Sequence, residues 1–328
     1  MLAIFKDGTL INVHVRYWSG GKALTADDLG LKDTEVAEAF KLGKKMLVPD
    51  EAIRKFRAKE AQSRRIVEVS SFPFPIGNAS FVPKKRVGKV LEALTQYQTD
   101  YNTLTDELIR DYDKLRQEMI PVYEEAARTA YAKSLAGKSQ PVEFTIESEQ
   151  ADEAAFVKSF MDRINTFYPT VESLRAKFSL YWDVYEIATP SIDKAAIAQT
   201  EYQKAMQDRM GTFVTEVVTS LRAKTIEMCS KFAQSLKDGK IIRSTSIDAV
   251  RNFIDEYKDL NFIGDVVVEK QLEALRAQLN VEPEAIRESK DLQEALGRKL
   301  SEVIDSASEI SDISAITGEY KRKVVWDA

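Results

Sequence analysis

The sequence predicts a mainly α-helical protein, with a small N-terminal α+β head that contains a β-hairpin, followed by an elongated antiparallel bundle of long helices. Three observations predict this fold class. The chain has 328 residues but only 13 glycines and 9 prolines, so most of it can run as continuous helix. Short alternating apolar segments lie within the first 83 residues. Beyond them, apolar residues recur at steps of three and four over long stretches.

Residues 1–83 are predicted to form the head. Apolar residues alternate on both sides of Asp7 and Gly8, which is typical of a hairpin closed by a two-residue turn. Its strands are expected near 1–6 and 9–18. The other elements expected in the head are a helix near 33–42, a helix that begins after Pro49 and Asp50, and short strands at 66–69 and 79–82.

Residues 84–240 are predicted to form the long-helix bundle. The first helix, from about 84 to 133, has apolar positions that repeat every seven residues and predict a coiled-coil seam. Pro121 should bend or split this helix, because proline lacks the N–H and clashes with the preceding turn. The seam consists of Val87, Leu91, Leu94, Tyr101, Leu108, Tyr112, Leu115, Met119, Val122 and Ala126. The other long helices are expected along an aromatic stripe from Phe156 to Tyr185, and from Met206 to Leu236 with a stop at Asp238 and Gly239.

Residues 241–328 are predicted to form a C-terminal region of shorter helices. These helices are expected near 246–260, 266–279 and 284–308, the last beginning at Pro283, where proline is well tolerated in a first turn. The tail 320–323 is basic.

Composition indicates a reducing compartment. With one cysteine, Cys229, and one histidine, His14, the chain can form neither an internal disulfide nor a Cys/His zinc site. Charge appears already at Lys6, and no stretch approaches the roughly 18 uncharged apolar residues of a membrane span. We therefore expect a cytoplasmic protein that does not enter a membrane and holds no metal or cofactor.

The sequence lacks the motifs of common catalytic sites. Gly20-Gly21-Lys22 has neither the upstream glycine nor the following Ser or Thr of a phosphate-binding loop. A nucleophile elbow is absent, and a single histidine excludes the His-Glu-x-x-His zinc motif. His14 is best interpreted as a packed or surface imidazole, and Cys229 as a reduced, partly buried thiol. These observations predict a protein that is not an enzyme.

Charge is distributed unevenly along the chain. Residues 1–89 carry 17 Lys and Arg against 10 Asp and Glu, which gives +7 and leaves −12 for residues 90–328. The basic region 41–89 could face an external anion such as nucleic acid, or it could pair with acidic helices of the same chain. Its cations include Lys44, Lys45, Arg54, Lys55, Arg57, Lys59, Arg64 and Arg65.

One candidate partner-binding surface follows from the uncharged segment 69–83, which contains three phenylalanines and leads into a cationic helix start. The segment could cap the helical core or contact another protein. Cations in a first turn oppose the helix dipole, so an anionic partner would stabilise them there. The candidate residues are Phe72, Phe74, Phe81, Lys84, Lys85, Arg86 and Lys89.

Part of the head has a recognisable pattern. Its residues are Trp18, Ser19, Gly20, Gly21 and Leu24, followed by Gly43, Pro49 and the run Phe81-Val82-Pro83 before a long helix. Over residues 9–94 this pattern resembles that of a bacterial and phage family catalogued as a domain of unknown function, number thirty-one fifty. The resemblance implies a genomic neighbourhood of MoxR-type AAA+ ATPases and von Willebrand A, CobT-like proteins. It therefore suggests a helical client, adaptor or assembly unit of such a system.

Two main function hypotheses follow. The first is a non-enzymatic helical scaffold or adaptor that self-associates, or that binds a MoxR-type ATPase and a von Willebrand A protein. The alternative is a nucleic-acid-binding protein that uses the basic region 41–89 and whose binding falls steeply with salt. A helical pore is disfavoured because no uncharged apolar helix is available to insert.

Overall fold

The structure is a computed structural model, and it describes residues 3–25, 43–77, 79–136, 146–187, 196–238, 243–309, 313, 316 and 317. The chain forms two compact units. The first unit comprises residues 1–12, 65–92 and 182–328, and the second unit comprises residues 13–64 and 93–181. Each unit combines stretches that are distant in sequence.

The described residues are mainly helical, as predicted. The helices are α1 (Asp50–Val69), α2 (Lys84–Ala136), α3 (Ile146–Asn165), α4 (Val171–Arg175), α5 (Ala196–Lys237), α6 (Ser244–Leu260), α7 (Val266–Gln278), α8 (Pro283–Glu288) and α9 (Lys290–Ser308). The strands are β1 (Gly8–Arg16), β2 (Gly21–Ala23), β3 (Lys44–Met46), β4 (Phe72–Pro73), β5 (Ser80–Pro83) and β6 (Ser179–Tyr185). In the described part of the chain, no helix is both long and apolar enough to span a bilayer.

The predicted N-terminal hairpin is wrong, although its second strand, expected near 9–18, is confirmed by β1. Residues Ala3–Lys6 form a 3-10 helix, and β1 pairs with β5 instead, in antiparallel register from Gly8 opposite Pro83 to Ile11 opposite Ser80. Ile4 and Phe5 are adjacent and both buried. A strand would place them on opposite faces, whereas a tight helical turn buries both. A Cβ on Gly8 would lie 2.5 Å from the Val82 carbonyl oxygen, so Gly8 permits close strand pairing rather than a turn.

Two antiparallel sheets complete the strand structure. The larger has the order β4-β5-β1-β6, and the smaller pairs β2 with β3. The strand predicted at 79–82 is confirmed by β5, whereas the one predicted at 66–69 is wrong because these residues end α1. Buried positions along α1 keep helical spacing as far as Val67, so burial overrides the β-branched composition. The helix predicted near 33–42 lies outside the described residues.

The aromatic stripe predicted as one long helix, Phe156 to Tyr185, is divided among α3, α4 and β6. Pro169 disfavours helical backbone at the residue before it, and Thr170 then caps α4 by accepting a hydrogen bond from the Ser173 backbone N–H. The last residues of the stripe are rich in aromatic side chains, which favour the pleated backbone of β6.

The long helix predicted from about 84 to 133 is confirmed by α2, which continues through Pro121. Its buried positions follow heptad steps as far as Tyr112. They resume 11 residues later at Tyr123, as on a straight helix with about 3.6 residues per turn. The seam positions predicted after Pro121, Val122 and Ala126, are consequently exposed.

The core of the first unit includes α5, α6, α7 and α9. The long helix predicted to end near Asp238 is confirmed by α5, and the shorter helices near 246–260 and 266–279 are confirmed by α6 and α7. The helix predicted at 284–308 is interrupted at Ser289, whose hydroxyl accepts from the Leu292 backbone N–H over 3.3 Å. Because this contact caps a new helix, the stretch becomes α8 and α9.

Candidate functional site

An open groove lies between α1 and the middle of α2 in the second unit. Its volume is about 380 Å³. Phe56 and Leu108 are buried in its floor, and Leu104 and Leu115 are half-buried. The complete lining is Pro49, Glu51, Ala52, Lys55, Phe56, Leu104, Glu107, Leu108, Asp111, Leu115 and Glu118. The groove therefore combines an apolar floor with charged side chains.

Aromatic rings pack around Phe56 in the floor. The Phe56 ring lies 5.2 Å from the Tyr101 ring in an edge-on arrangement and 4.7 Å from the Phe178 ring. The Tyr101 hydroxyl donates to the Arg16 carbonyl, which fixes α2 against β1 in this unit. Burial raises the pKa of Tyr101 well above its ordinary value, so the hydroxyl stays protonated and remains a donor.

The charged side chains of the lining are mostly acidic. Four carboxylates and one ammonium group belong to it. Asp111 accepts two hydrogen bonds from Arg110, at 3.0 and 3.2 Å, and Glu118 lies 4.0 Å from Lys114. Among the described residues, Glu51 and Glu107 form no ion pair. The arrangement can attract a cationic group beside an apolar one.

The groove face of α2 extends beyond the groove. Leu104, Leu108, Asp111, Leu115 and Glu118 follow one another at steps of four and three, which keeps them on one helix face. The next position at this spacing is Val122, which is 56% exposed. The apolar positions on this face of α2 thus lead to an exposed valine.

The sequence pattern alone does not identify this groove. A signal was present, because the predicted seam includes Leu108 and Leu115, and acidic residues stand between them. What the periodicity of α2 could not identify is the opposite wall. Phe56 and Lys55 come from α1, which is about fifty residues earlier in the chain.

The phenylalanines of the candidate partner surface are core residues. Phe72, Phe74 and Phe81 are at most 5% exposed. The Phe74 and Phe81 rings pack edge-on against Phe213 of α5, and the Phe72 ring lies 6.0 Å from the Phe262 ring. These side chains are therefore packed in the core of the first unit and are not exposed to a partner.

The four cations at the start of α2 separate into two groups. Arg86 is 3% exposed, donates to the Ser70 hydroxyl over 3.0 Å, and lies 3.6 Å from Asp259 Oδ2. It is therefore an internal partner, contrary to the expectation of a shared cationic surface. Lys84, Lys85 and Lys89 are exposed, and Lys85 donates to the Lys258 carbonyl over 3.2 Å.

Several cations of the basic region pair within the chain. Lys45 is 7% exposed, and its ammonium group lies 4.3 Å from the Phe167 ring centre. Ion pairs with carboxylates of the same chain are formed by Arg57 with Asp50, Lys59 with Asp100 (2.7 Å) and Arg64 with Glu60 (2.9 Å). These contacts favour the alternative in which the region pairs with its own acidic side chains. Exposed cations of the region include Lys44, Arg54, Lys55 and Arg65.

The residues of the recognisable head pattern have structural roles in the second unit. Gly20 has φ +68°, and a Cβ there would lie 2.6 Å from Ile53 Cγ1. A Cβ on Gly21 would lie 2.9 Å from the Lys45 carbonyl oxygen. Trp18 is buried with its ring edge-on to Tyr112, and the backbone N–H of Leu24 donates to Gly43 over 3.0 Å. Ser19 donates to the Gly21 carbonyl over 3.4 Å.

The single histidine and cysteine are both packed. The His14 ring stacks on the Tyr181 ring at 4.8 Å. Cys229 is fully buried in the first unit, and burial raises the pKa of its thiol to about 12. Within the described ranges, no three His, Cys, Asp or Glu side chains are grouped as metal ligands.

The family comparison covers most of the chain, well beyond the residues 9–94 that carry the resemblance. The family described as "Protein of unknown function (DUF3150)" matches residues 6–297. No curated protein and no solved structure matches the chain. The match spans both compact units, so the chain belongs to the DUF3150 family.

Proposed function

We propose that this chain is a non-enzymatic helical adaptor or assembly subunit that binds another protein through the groove between α1 and α2. The supporting observation is the groove itself, because an open groove of about 380 Å³ with an apolar floor lies between two helices. Grooves between helices are common docking sites for a further helix. The exposed Val122 extends the same apolar stripe.

The partner system that we propose is a MoxR-type ATPase with a von Willebrand A protein. The family resemblance supports this choice, because it implies a genomic neighbourhood that contains such proteins. In this proposal the ATPase supplies the chemistry, and the chain supplies a rigid helical surface without turnover of its own. The nucleic-acid alternative is weakened because Lys45, Arg57, Lys59, Arg64 and Arg86 contact groups of the same chain.

The test is reconstitution with the ATPase and the von Willebrand A protein encoded nearest to this chain. The three proteins are mixed and separated by size-exclusion chromatography with light scattering, and the chain alone is run over a range of concentrations. We expect a complex of defined stoichiometry, and an ATPase rate that the chain alone does not produce. Failure to form a complex or to self-associate, together with nucleic-acid binding that falls steeply with salt, would replace this proposal with the alternative.

A further inference from the structure

The groove between α1 and α2 has the general form of a helix-binding site, with helical walls and an apolar floor. Its two walls are helices, and its floor carries Phe56 and Leu108 with Leu104 and Leu115 beside them. A helix packed on two others inserts side chains at positions i, i+3 or i+4, and i+7 between them. The leucines along α2 repeat at steps compatible with such packing. The shape therefore favours an amphipathic helix as occupant.

The charges around this floor restrict the occupant further. The lining contains Glu51, Glu107, Asp111 and Glu118 against Lys55, which gives a net charge of −3 from these five residues. Asp111 and Glu118 have cationic neighbours outside the lining, but Glu51 and Glu107 form no ion pair within the described chain. An occupant with Lys or Arg beside its apolar stripe would satisfy these two carboxylates, whereas an acidic helix would be repelled.

We infer that the groove binds a basic amphipathic helix of a partner protein, with apolar side chains on the floor and lysines or arginines facing Glu51 and Glu107. This inference rests on the proposed adaptor function, and it specifies the chemistry of the partner. The binding is electrostatically steered, so its affinity falls as salt concentration rises.

The test uses two synthetic helical peptides with the same leucine stripe. One carries lysines beside the stripe, and the other carries glutamates at the same positions. Binding to the full chain is measured by fluorescence anisotropy at low and physiological salt. We expect the basic peptide to bind and the acidic peptide to bind at least about tenfold more weakly, because like charges oppose it. Equal binding of both peptides, or no binding of the basic one, would overturn the inference.

Charge reversal in the chain provides the matched comparison. The double variant Glu51→Lys/Glu107→Lys should bind the basic peptide at least about tenfold more weakly. The control variant Asp113→Lys/Glu125→Lys makes the same change in net charge at two α2 residues that are 84% and 74% exposed and lie outside the lining. It should bind as the unmodified chain does. Equal losses in the two variants would assign the effect to net charge and refute the groove.

A further measurement does not depend on the folding of a variant. The basic peptide carries a photoreactive side chain within its stripe, and cross-linked sites on the unmodified chain are mapped by mass spectrometry. Cross-links to the α1 and α2 segments of the lining support the inference, and cross-links confined to other regions refute it. A second copy of the chain would be the occupant instead if two results are obtained together. The chain dimerises and the groove variant abolishes this dimerisation, while the basic peptide does not compete with it.

The two proposals can fail separately. If the basic peptide binds the groove but no complex forms with the ATPase and the von Willebrand A protein, the groove chemistry stands and the proposed partner system is wrong. If the complex forms and the Glu51→Lys/Glu107→Lys variant joins it normally, the adaptor function stands and the groove is not its docking site.

Discussion

The guanidinium group of Arg222 donates from Nε to Asp265 Oδ2 over 2.7 Å, and both side chains are only 2% exposed. Arg222 Nη1 also donates to the Glu309 carbonyl over 2.6 Å. Asp265 in turn accepts from the Val268 backbone N–H and caps α7. This buried pair therefore connects α5 to the start of α7 and to the end of α9 within the first unit.

Removal of one partner of this pair should destabilise the chain strongly. Asp265→Ala leaves the buried Arg222 charge without its carboxylate, which we expect to lower the free energy of unfolding by about 3–5 kcal/mol. Asp265→Asn should lower the free energy of unfolding by a smaller amount, because asparagine retains a side-chain oxygen that can accept the hydrogen bond from the Val268 backbone N–H. Urea unfolding followed by circular dichroism measures both changes.

The control for this prediction is an exposed ion pair in the same unit. Asp255 is 56% exposed and lies 3.1 Å from Arg276. Asp255→Ala should therefore lower the free energy of unfolding by less than about 1 kcal/mol. A loss in Asp265→Ala no larger than in Asp255→Ala would contradict the structural role assigned to the buried pair.

Two glycines should respond in opposite directions to alanine. In Gly20→Ala the alanine must adopt a positive φ, which L-residues rarely adopt, and its Cβ lies 2.6 Å from Ile53 Cγ1. We therefore expect a loss of about 1–3 kcal/mol in the free energy of unfolding. Gly88 lies inside α2, and a Cβ added to it would have no neighbouring atom within 4 Å. Gly88→Ala should therefore stabilise the chain by about 0.5–1 kcal/mol, because alanine favours helix. Thermal or urea unfolding distinguishes these outcomes, and equal effects of the two substitutions would contradict the prediction.

The helical class could be predicted from the sequence because it depends on local periodicity. The apolar stripes that form α2 and α5 are long enough for their spacing to distinguish helix from strand. The partner of β1 could not be predicted in this way. Alternation around Gly8 fits a local hairpin equally well, and only the long-range packing of Phe81 and Val82 against β1 selects β5 as its neighbour.

The site was harder to predict than the fold for the same reason. The segment containing Phe72, Phe74 and Phe81 resembles an exposed patch in sequence because it is apolar and free of charge. Burial depends on Phe213, which is more than 130 residues away. Conversely, the seam residue Leu108 is buried as the periodicity predicts, whereas Leu115 is only half-buried because the groove opens beside it.

Alkaline pH should reveal the burial of Cys229. Burial raises the pKa of its thiol from 9.0 to about 12 in the folded chain. The folded state therefore retains a proton that the unfolded state loses between these values. The stabilisation is fully present below about pH 9 and is lost as pH rises toward 12. The free energy of unfolding should fall more steeply between pH 8 and pH 11 in the unmodified chain than in Cys229→Ala, which lacks this group.

Urea unfolding of both proteins at several pH values checks the slope difference. Buried tyrosines, including Tyr112 with a pKa of about 12, contribute to the decline in both proteins, so their effect cancels in the comparison. A thiol reagent provides an independent measurement, since it should label Cys229 only after unfolding. Identical slopes combined with rapid labelling of the folded chain would show that the thiol is accessible.

When each cation at the start of α2 is changed to glutamate, the effect on stability should depend on whether the side chain is buried. Arg86→Glu places a carboxylate in a buried site near Asp259 and removes the hydrogen bond to Ser70, so we expect a loss of at least about 2 kcal/mol in the free energy of unfolding. Lys84→Glu places an anion in the first turn of α2 at an exposed position, where the helix dipole should stabilise the chain by about 0.3–1 kcal/mol. Lys89→Glu, also exposed, should leave stability nearly unchanged. Urea unfolding of the three single variants measures these effects, and a neutral Arg86→Glu would show that its contacts with Ser70 and Asp259 do not stabilise the fold.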